Sequence, residues 1–124
     1  MPTKKVPESR KFWRNYKKRW GRELQSGHGP APSYDAVYVL ADAIERAGTL
    51  NADDLVAALE KTDRMGAIGR IRFDKGHQVT FGTDPSEGAI GSVIQWRRGK
   101  RVIVFPDSLA EKKVALPAWM TAAK

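Results

Sequence analysis

Ser33-Tyr34-Asp35-Ala36-Val37-Tyr38-Val39-Leu40-Ala41-Asp42-Ala43-Ile44-Glu45-Arg46-Ala47-Gly48 is the stretch that decides the fold of this chain. Tyr34, Val37, Tyr38, Ala41 and Ile44 recur at helical spacing, and Val39 and Leu40 widen the stripe. Ser33 is placed to cap a helix beginning at Tyr34. Asp35 in the first turn and Arg46 in the last complement the helix dipole, and Gly48 is a C-terminal stop. A helix apolar over more than half its circumference has to be packed on two sides. That is the mark of a piece of a larger α/β protein.

Working outward, Asn51 caps a third helix whose first turn carries Asp53 and Asp54, with Leu55, Val56 and Leu59 as its buried stripe. It ends near Lys61 or Thr62. Upstream, the dense punctuation of Ser26-Gly27-His28-Gly29-Pro30-Ala31-Pro32 predicts a loop. Before it, Ser9 to Arg22 reads as an amphipathic helix. Phe12, Tyr16 and Trp20 fall four apart on one face beside Trp13, and Lys and Arg fill the opposite side.

Downstream the period changes. Gly69-Arg70-Ile71-Arg72-Phe73 alternates like a strand and is closed by a turn at Asp74-Lys75-Gly76. Gln78 to Phe81 is a weaker extended piece. Ile90 to Trp96 and Arg101 to Phe105 form two β-rich runs joined by Arg97-Arg98-Gly99-Lys100, where Gly99 supplies the positive φ of a short hairpin. A short helix is expected near Ser108 to Lys113, and an extended anchor at Leu116-Pro117-Ala118-Trp119.

The chain has 124 residues, a size that suits one domain. Absence of cysteine excludes disulfides, a thiolate nucleophile and Cys-ligated metal. His28 and His77 are far apart and neither has a second His at helical spacing, so neither a metal nor a cofactor is expected. No phosphate-cradling glycine loop and no Gly-x-Ser-x-Gly elbow is present. Asp53 and Asp54 are explained by the helix start they occupy. His77 has no orienting carboxylate suggested by the sequence, so it reads as a surface histidine in a hairpin. The chain is expected not to be an enzyme.

The net charge of +8 is concentrated rather than spread. Lys4, Lys5, Arg10, Lys11, Arg14, Lys17, Lys18, Arg19 and Arg22 all precede residue 25 and are opposed there only by Glu8 and Glu23. A small basic nucleic-acid-binding protein using this first helix is therefore the alternative reading. It would need the aromatics exposed for base stacking, whereas their spacing puts them inside. No nucleic-acid partner is expected. No stretch approaches the roughly 18 apolar residues of a membrane-spanning helix. The basic start lacks an apolar run and is not a secretory signal as it stands.

The order of elements is more specific than any one motif. Phe12-x-x-x-Tyr16-x-x-x-Trp20-Gly21, a Gly/Pro loop, Ser33 to Ile44, Ala47-Gly48 and a capped helix ending Ala57-Ala58-Leu59 come first. Gly66-x-x-Gly69-x-Ile71-x-Phe73-Asp74, His77, Gln95-Trp96-x-x-Gly99-Lys100, Val104-x-Pro106 and Leu116-Pro117-x-Trp119 follow. This series resembles the C-terminal third of the branched-chain amino-acid-type solute-binding proteins, the type I periplasmic binding proteins of ABC transporters (the Leu/Ile/Val-binding protein family). The resemblance runs from about Pro7 to Trp119.

It implies an α/β fold: a partial type I periplasmic-binding-protein fold of three helices followed by short strands and a C-terminal β-hairpin. Residues 1–124 would be a single partial domain, the C-terminal segment of a two-lobed protein, with residues 1–8 flexible. It implies an extracytoplasmic, periplasmic component of an ABC importer that binds amino acids or related small metabolites by hinge closure, without catalysis. The implied partners are an amino-acid-like ligand, ABC permease subunits, and the remaining lobes of the full-length protein or a self-associated copy. Any signal peptide would lie upstream. A sensory ligand-binding domain of the same fold is a third reading.

In that family the loop before the Tyr-Asp-Ala helix approaches the ligand, which makes His28, Gly29 and Pro30 the implied ligand-binding residues. Gly29 lacks the side chain that some relatives place there, and the segments that clamp the ligand's charged ends are upstream. The apolar faces of Tyr34–Ala47 and Leu55–Leu59 would normally cover a parallel sheet. Without it they are expected to drive self-association, strand exchange or contact with the remaining polypeptide.

Overall fold

The structure, a computed structural model, describes residues 5–24 and 28–121. The chain divides into two compact units, Met1–Gly91 and Ser92–Lys124.

The first unit opens with helix α1, Pro7–Trp20. Proline at its first position costs nothing, since that amide has no intrahelical acceptor. Gly21 ends the helix at φ 65°, its amide donating to the Lys17 carbonyl at 2.9 Å. The left-handed cap that glycine adopts without strain stops α1 at Trp20, short of the expected Arg22. Of the tail expected through residue 8, residues 1–4 lie outside the described residues; Val6 is buried, and Pro7 and Glu8 already belong to α1.

Helix α2 is Pro30–Ala47, a full turn longer at its start than the sequence suggests. The Ser33 amide donates to the Gly29 carbonyl at 3.1 Å, so Gly29 rather than Ser33 is the N-cap. Pro30 and Pro32 both fall within the first turn, where a missing N–H breaks no helical bond. Prolines that look like loop punctuation are here the helix start. Ser26 and Gly27 of the expected loop lie outside the described residues. Gly48, at φ 66°, closes α2 as expected.

Helix α3, Ala52–Glu60, follows after four residues, and the Asn51 side chain accepts from the Asp53 and Asp54 amides at 3.0 and 3.3 Å. The two helices are tied where the Arg46 guanidinium donates to the Ala58 carbonyl at 2.6 Å.

Strands β1 (Asp63–Gly66) and β2 (Gly69–Arg72) form an antiparallel hairpin in the register Asp63↔Arg72 to Gly66↔Gly69. β1 has no apolar alternation and was invisible to pattern. It is held instead by a bidentate pair, Arg70 Nε and Nη2 to the two Asp63 carboxylate oxygens, each 2.6 Å. The pair, with Arg70 its first cause, holds the exposed Asp63 carboxyl below its ordinary value.

Strand β4 (Ala89–Ile90) joins β2 antiparallel and β3 (Phe81–Gly82) parallel, giving the order β1-β2-β4-β3. The expected extended piece at Gln78–Phe81 is partly a return arm: Val79 bridges Phe73, and the Thr80 amide donates to the Arg72 carbonyl at 2.9 Å. Gly69 (φ 104°) sits where β2 meets β4, and a Cβ there would lie 2.5 Å from the Gly88 carbonyl oxygen.

The core of this unit is Phe12, Trp13, Leu24, Ala31 and Ala67, with Tyr16, Tyr34 and Ile68 packed against it. Fully burying a side chain of the Phe12 class contributes roughly 1.5–3 kcal/mol. One face of α2 is buried at Ala31, Asp35, Val39 and Ala43. Its other face is open, with Val37 68% and Leu40 47% exposed, and Val56 of α3 is exposed as well. The two-sided apolar helix is thus partnered on one side only among the described residues.

The second unit contains an antiparallel hairpin of β5 (Val93–Arg97) and β6 (Lys100–Phe105), turning at Arg98 (φ 50°) and Gly99 (φ 74°). The single run expected from Ile90 to Trp96 is broken, since Ile90 ends β4 in the first unit. The helix expected at Ser108–Lys113 is a turn. The Leu109 and Ala110 amides donate to the Pro106 carbonyl, but the Glu111 amide donates back to Ile103 at 2.9 Å, which takes the chain to β6 instead of into a further helical turn. The segment after it runs along the hairpin: Gln95 exchanges bonds with the Ala115 backbone at 2.6 and 3.1 Å, and Arg97 donates to the Lys113 carbonyl. The expected extended anchor gives way at Ala118 to a short helix α4, Ala118–Thr121, with Leu116 and Trp119 exposed.

Candidate functional site

The start of α2 is fixed by what packs beneath it. Ala31 is in the core, and the Tyr34 ring lies 4.9 Å from Phe12 and 5.0 Å from Tyr38. One turn further on, Asp35 is 2% exposed, and its two carboxylate oxygens accept the Ala67 and Ile68 amides at 2.9 Å each. Ala67 and Ile68 are the two turn residues between β1 and β2. A carboxylate on α2 therefore holds the tip of the hairpin.

Gly66 is part of the same lock, because a Cβ there would lie 2.7 Å from the Asp35 carboxyl carbon. Burial pushes the Asp35 carboxyl above its ordinary value; the two amide bonds and the Arg64 charge pull it the other way without winning. Arg64 of β1 adds a second tie, pairing with Asp42 about two turns along α2 while its guanidinium sits 4.9 Å from the Tyr38 ring.

Asp35 is the residue the sequence reading misplaced. With α2 beginning at Pro30 it is not in the first turn and does not serve the dipole. The available signal was its position: Ala31, Asp35, Val39 and Ala43 are four apart, so the acid lies on an apolar stripe and must have a buried partner. The Gly66-x-x-Gly69 pattern marks that partner.

His28, Gly29 and Pro30 lie together at the outer end of this anchored turn, His28 and Gly29 exposed and Pro30 half-buried. Among the described residues a Cβ on Gly29 would meet nothing within 4 Å. Of the first three helical positions, Pro30 and Pro32 have no N–H and Ala31 is buried. This helix start therefore offers an anion little of the amide cradle that helix N-termini commonly supply.

A second feature lies between α3 and the turn after β2. His77, at φ 62°, brings Nε2 to 3.0 Å from Glu60 Oε1, over a shallow cavity of about 180 Å³ lined by Val56, Leu59 and Phe73. An orienting carboxylate is thus present where the sequence suggested none. Both side chains are exposed, and the other lining residues bear no nucleophile or proton carrier. Among the described residues no group of three metal-ligating side chains occurs.

The helical pair, the hairpin locked to α2 and the exposed turn at the start of α2 make one scaffold. The chain belongs to the periplasmic binding protein family, whose model matches residues 1–84. Its α/β architecture is part of the type I fold of that family. It is 29% identical over 116 residues to Leu/Ile/Val-binding protein homolog 7 of Brucella melitensis, a match covering 90% of this chain and 27% of that protein. It is 27% identical over 113 residues to homolog 8 of Brucella abortus, with the same coverage. The crystal structure of the leucine-binding protein LivK from Thermotoga maritima aligns with 78% of this chain and 25% of its own at a TM-score of 0.55 and 32% identity. The chain spans about a quarter of the length of the relatives it matches.

Proposed function

We propose that this chain is the C-terminal part of an extracytoplasmic solute-binding component of an ABC importer. Residues 1–124 act as one partial domain of a two-lobed protein that binds amino acids or related metabolites without catalysis and delivers them to permease subunits. The observation that carries this reading is the backbone shared with the leucine-binding protein at substantial sequence identity. The names of the Brucella relatives point to leucine, isoleucine and valine as the first ligands to try.

His28, Gly29 and Pro30 are the ligand-facing residues in this reading. Among the described residues nothing within 4 Å of a Cβ on Gly29 stands in the way of a ligand or of backbone contact, and the Asp35 lock keeps the loop in place. The two prolines leave recognition of the ligand carboxylate to other segments, so the isolated chain binds weakly or not at all.

The test is calorimetric titration of leucine, isoleucine, valine and other amino acids into the full chain, and into the protein extended through its upstream reading frame. The extended protein is expected to bind, the chain alone not. In the extended protein His28→Ala weakens binding about fivefold to tenfold, the worth of roughly one polar contact. An upstream frame that encodes no first lobe, or an extended protein that binds no amino acid, refutes the reading.

A further inference from the structure

We propose that the exposed basic ridge of α1 is a docking surface for an anionic phospholipid bilayer. Arg10, Lys11, Arg14, Lys17 and Lys18 are all exposed. At 3.6 residues per turn they fall within an arc of about 120°, opposite the buried Phe12 and Trp13, and run for about 12 Å along the axis. Glu23 pairs with Lys17 at 2.5 Å and offsets that one cation, while Glu8 sits half-buried in the first turn. Four cations, half of the chain's surplus of +8, thus stand on one convex ridge beside the Lys17–Glu23 pair.

The aromatic residues argue against a single-stranded nucleic acid. Base stacking needs aromatic faces among the cations, but Phe12 and Trp13 are sealed in the core. The exception is Trp20, 59% exposed at the last position of α1, with the Arg19 guanidinium 5.4 Å from its ring. Trp20 lies on the aromatic side of α1, its ring 6.4 Å from Tyr16, and so borders the ridge at its end about 60° beyond Lys17; an exposed indole beside cations is the arrangement that settles at a bilayer's headgroup level. The aromatic core holds the opposite side of α1, so the ridge is presented rigidly and binding orders no new segment.

The measurement is co-sedimentation of the full chain with vesicles of phosphatidylcholine mixed with phosphatidylglycerol, against phosphatidylcholine alone, at low and high salt. Binding is expected to the mixed vesicles only and to weaken with salt. Each cation contributes about a fivefold gain in partition, so Arg10→Gln with Arg14→Gln and Lys18→Gln lowers it on the order of 100-fold. Trp20→Ala lowers it further. Arg98→Gln with Lys100→Gln, at the hairpin tip of the second unit, leaves it unchanged. Circular dichroism checks that each variant keeps its helices. Equal binding to neutral vesicles, no loss in the triple variant, or an equal loss in the hairpin variant overturns the proposal. So does duplex DNA that strips the chain from vesicles with a steep salt dependence, which makes the ridge a nucleic-acid surface. Vesicle binding and solute binding are separate readouts, so either can fail without the other.

Discussion

Gly66→Ala is the smallest change that reaches the lock between α2 and the hairpin. The new Cβ would lie 2.7 Å from Cγ and Oδ2 of Asp35 and 2.8 Å from Oδ1, where ordinary contact begins near 3.4 Å. Something has to move by more than half an ångström. Asp35 cannot move freely, because both oxygens hold amides at 2.9 Å in a buried site. Either the hairpin tip shifts against the core, at the 1–3 kcal/mol typical of overpacking, or one charge-assisted bond is lost, at a similar cost of about 1.5–3 kcal/mol. The expected destabilisation is about 2–3 kcal/mol.

Asp35→Ala destabilises for the opposite reason. It strands the Ala67 amide in the core and the Ile68 amide at its edge, at about 1–3 kcal/mol for the buried one and less for the other. Relief of the buried charge returns part of this, leaving a net of about 2–3 kcal/mol. The decisive measurement is the double variant. With the carboxyl gone the added methyl has room, so Gly66→Ala in the Asp35→Ala background should cost under about 0.5 kcal/mol, or gain slightly from the less flexible unfolded chain. A double-mutant cycle by urea denaturation followed by far-ultraviolet circular dichroism should return a coupling of about 2 kcal/mol. Additive losses would mean that Gly66 is needed for another reason and that the lock is misread.

Acid pH should separate two carboxylates. Asp63 has a lowered folded value, so its stabilisation is present above the ordinary aspartate value and lost as pH falls through the folded one; Asp63→Asn should flatten the acid limb of a stability-versus-pH curve. Asp35 has a raised value, so its contribution is greatest below the ordinary aspartate value and falls as pH rises through the folded one; the stability gap between wild type and Asp35→Asn should narrow over that window. Asn51→Ala removes the cap on the Asp53 and Asp54 amides and should cost about 1 kcal/mol in the same denaturation assay. Sedimentation velocity should show association that rises with concentration and is reduced by Val37→Ser with Leu40→Ser at unchanged helix content; a wild-type chain that stays monomeric would remove the reason for regarding that face as unpartnered.

The three helices were readable because each carries an apolar stripe and a glycine or asparagine at an end. Gly21, Gly48 and Asn51 do in the structure what their chemistry predicts. The errors have local causes. Pro30 and Pro32 punctuate a loop in one context and start a helix in another, and only the tertiary burial of Ala31 distinguishes the two. β1 has no period because its partner strand and the Arg70–Asp63 fork hold it, not an apolar face. The Ser108–Lys113 segment has helical composition, but the Ile103 carbonyl captures its Glu111 amide. His28-Gly29-Pro30 reads as loop in the sequence, whereas Gly29 caps α2 and Pro30 begins it; its ligand-facing role rests on resemblance alone, since no cluster of side chains marks it.

Asp35 shows why resemblance and residue chemistry need each other. The order of motifs put Gly66-x-x-Gly69 in the same family pattern as Tyr34-Asp35-Ala36 without saying that the two touch. Physical reading treated Asp35 as a dipole partner because it placed the helix start four residues late. Once Pro30 is the first helical residue, an acid at the sixth position on the stripe of Ala31, Val39 and Ala43 cannot be explained by the helix that carries it. It needs donors from outside, and a two-residue hairpin turn has two amides free to give. The glycine before that turn is then required by the carboxylate and not by its own backbone, for it has no left-handed φ. Asp35 and the turn from Gly66 to Ile68, more than a helix length apart in sequence, thus form one unit, and the unit fixes the start of α2 that carries the proposed ligand-facing loop.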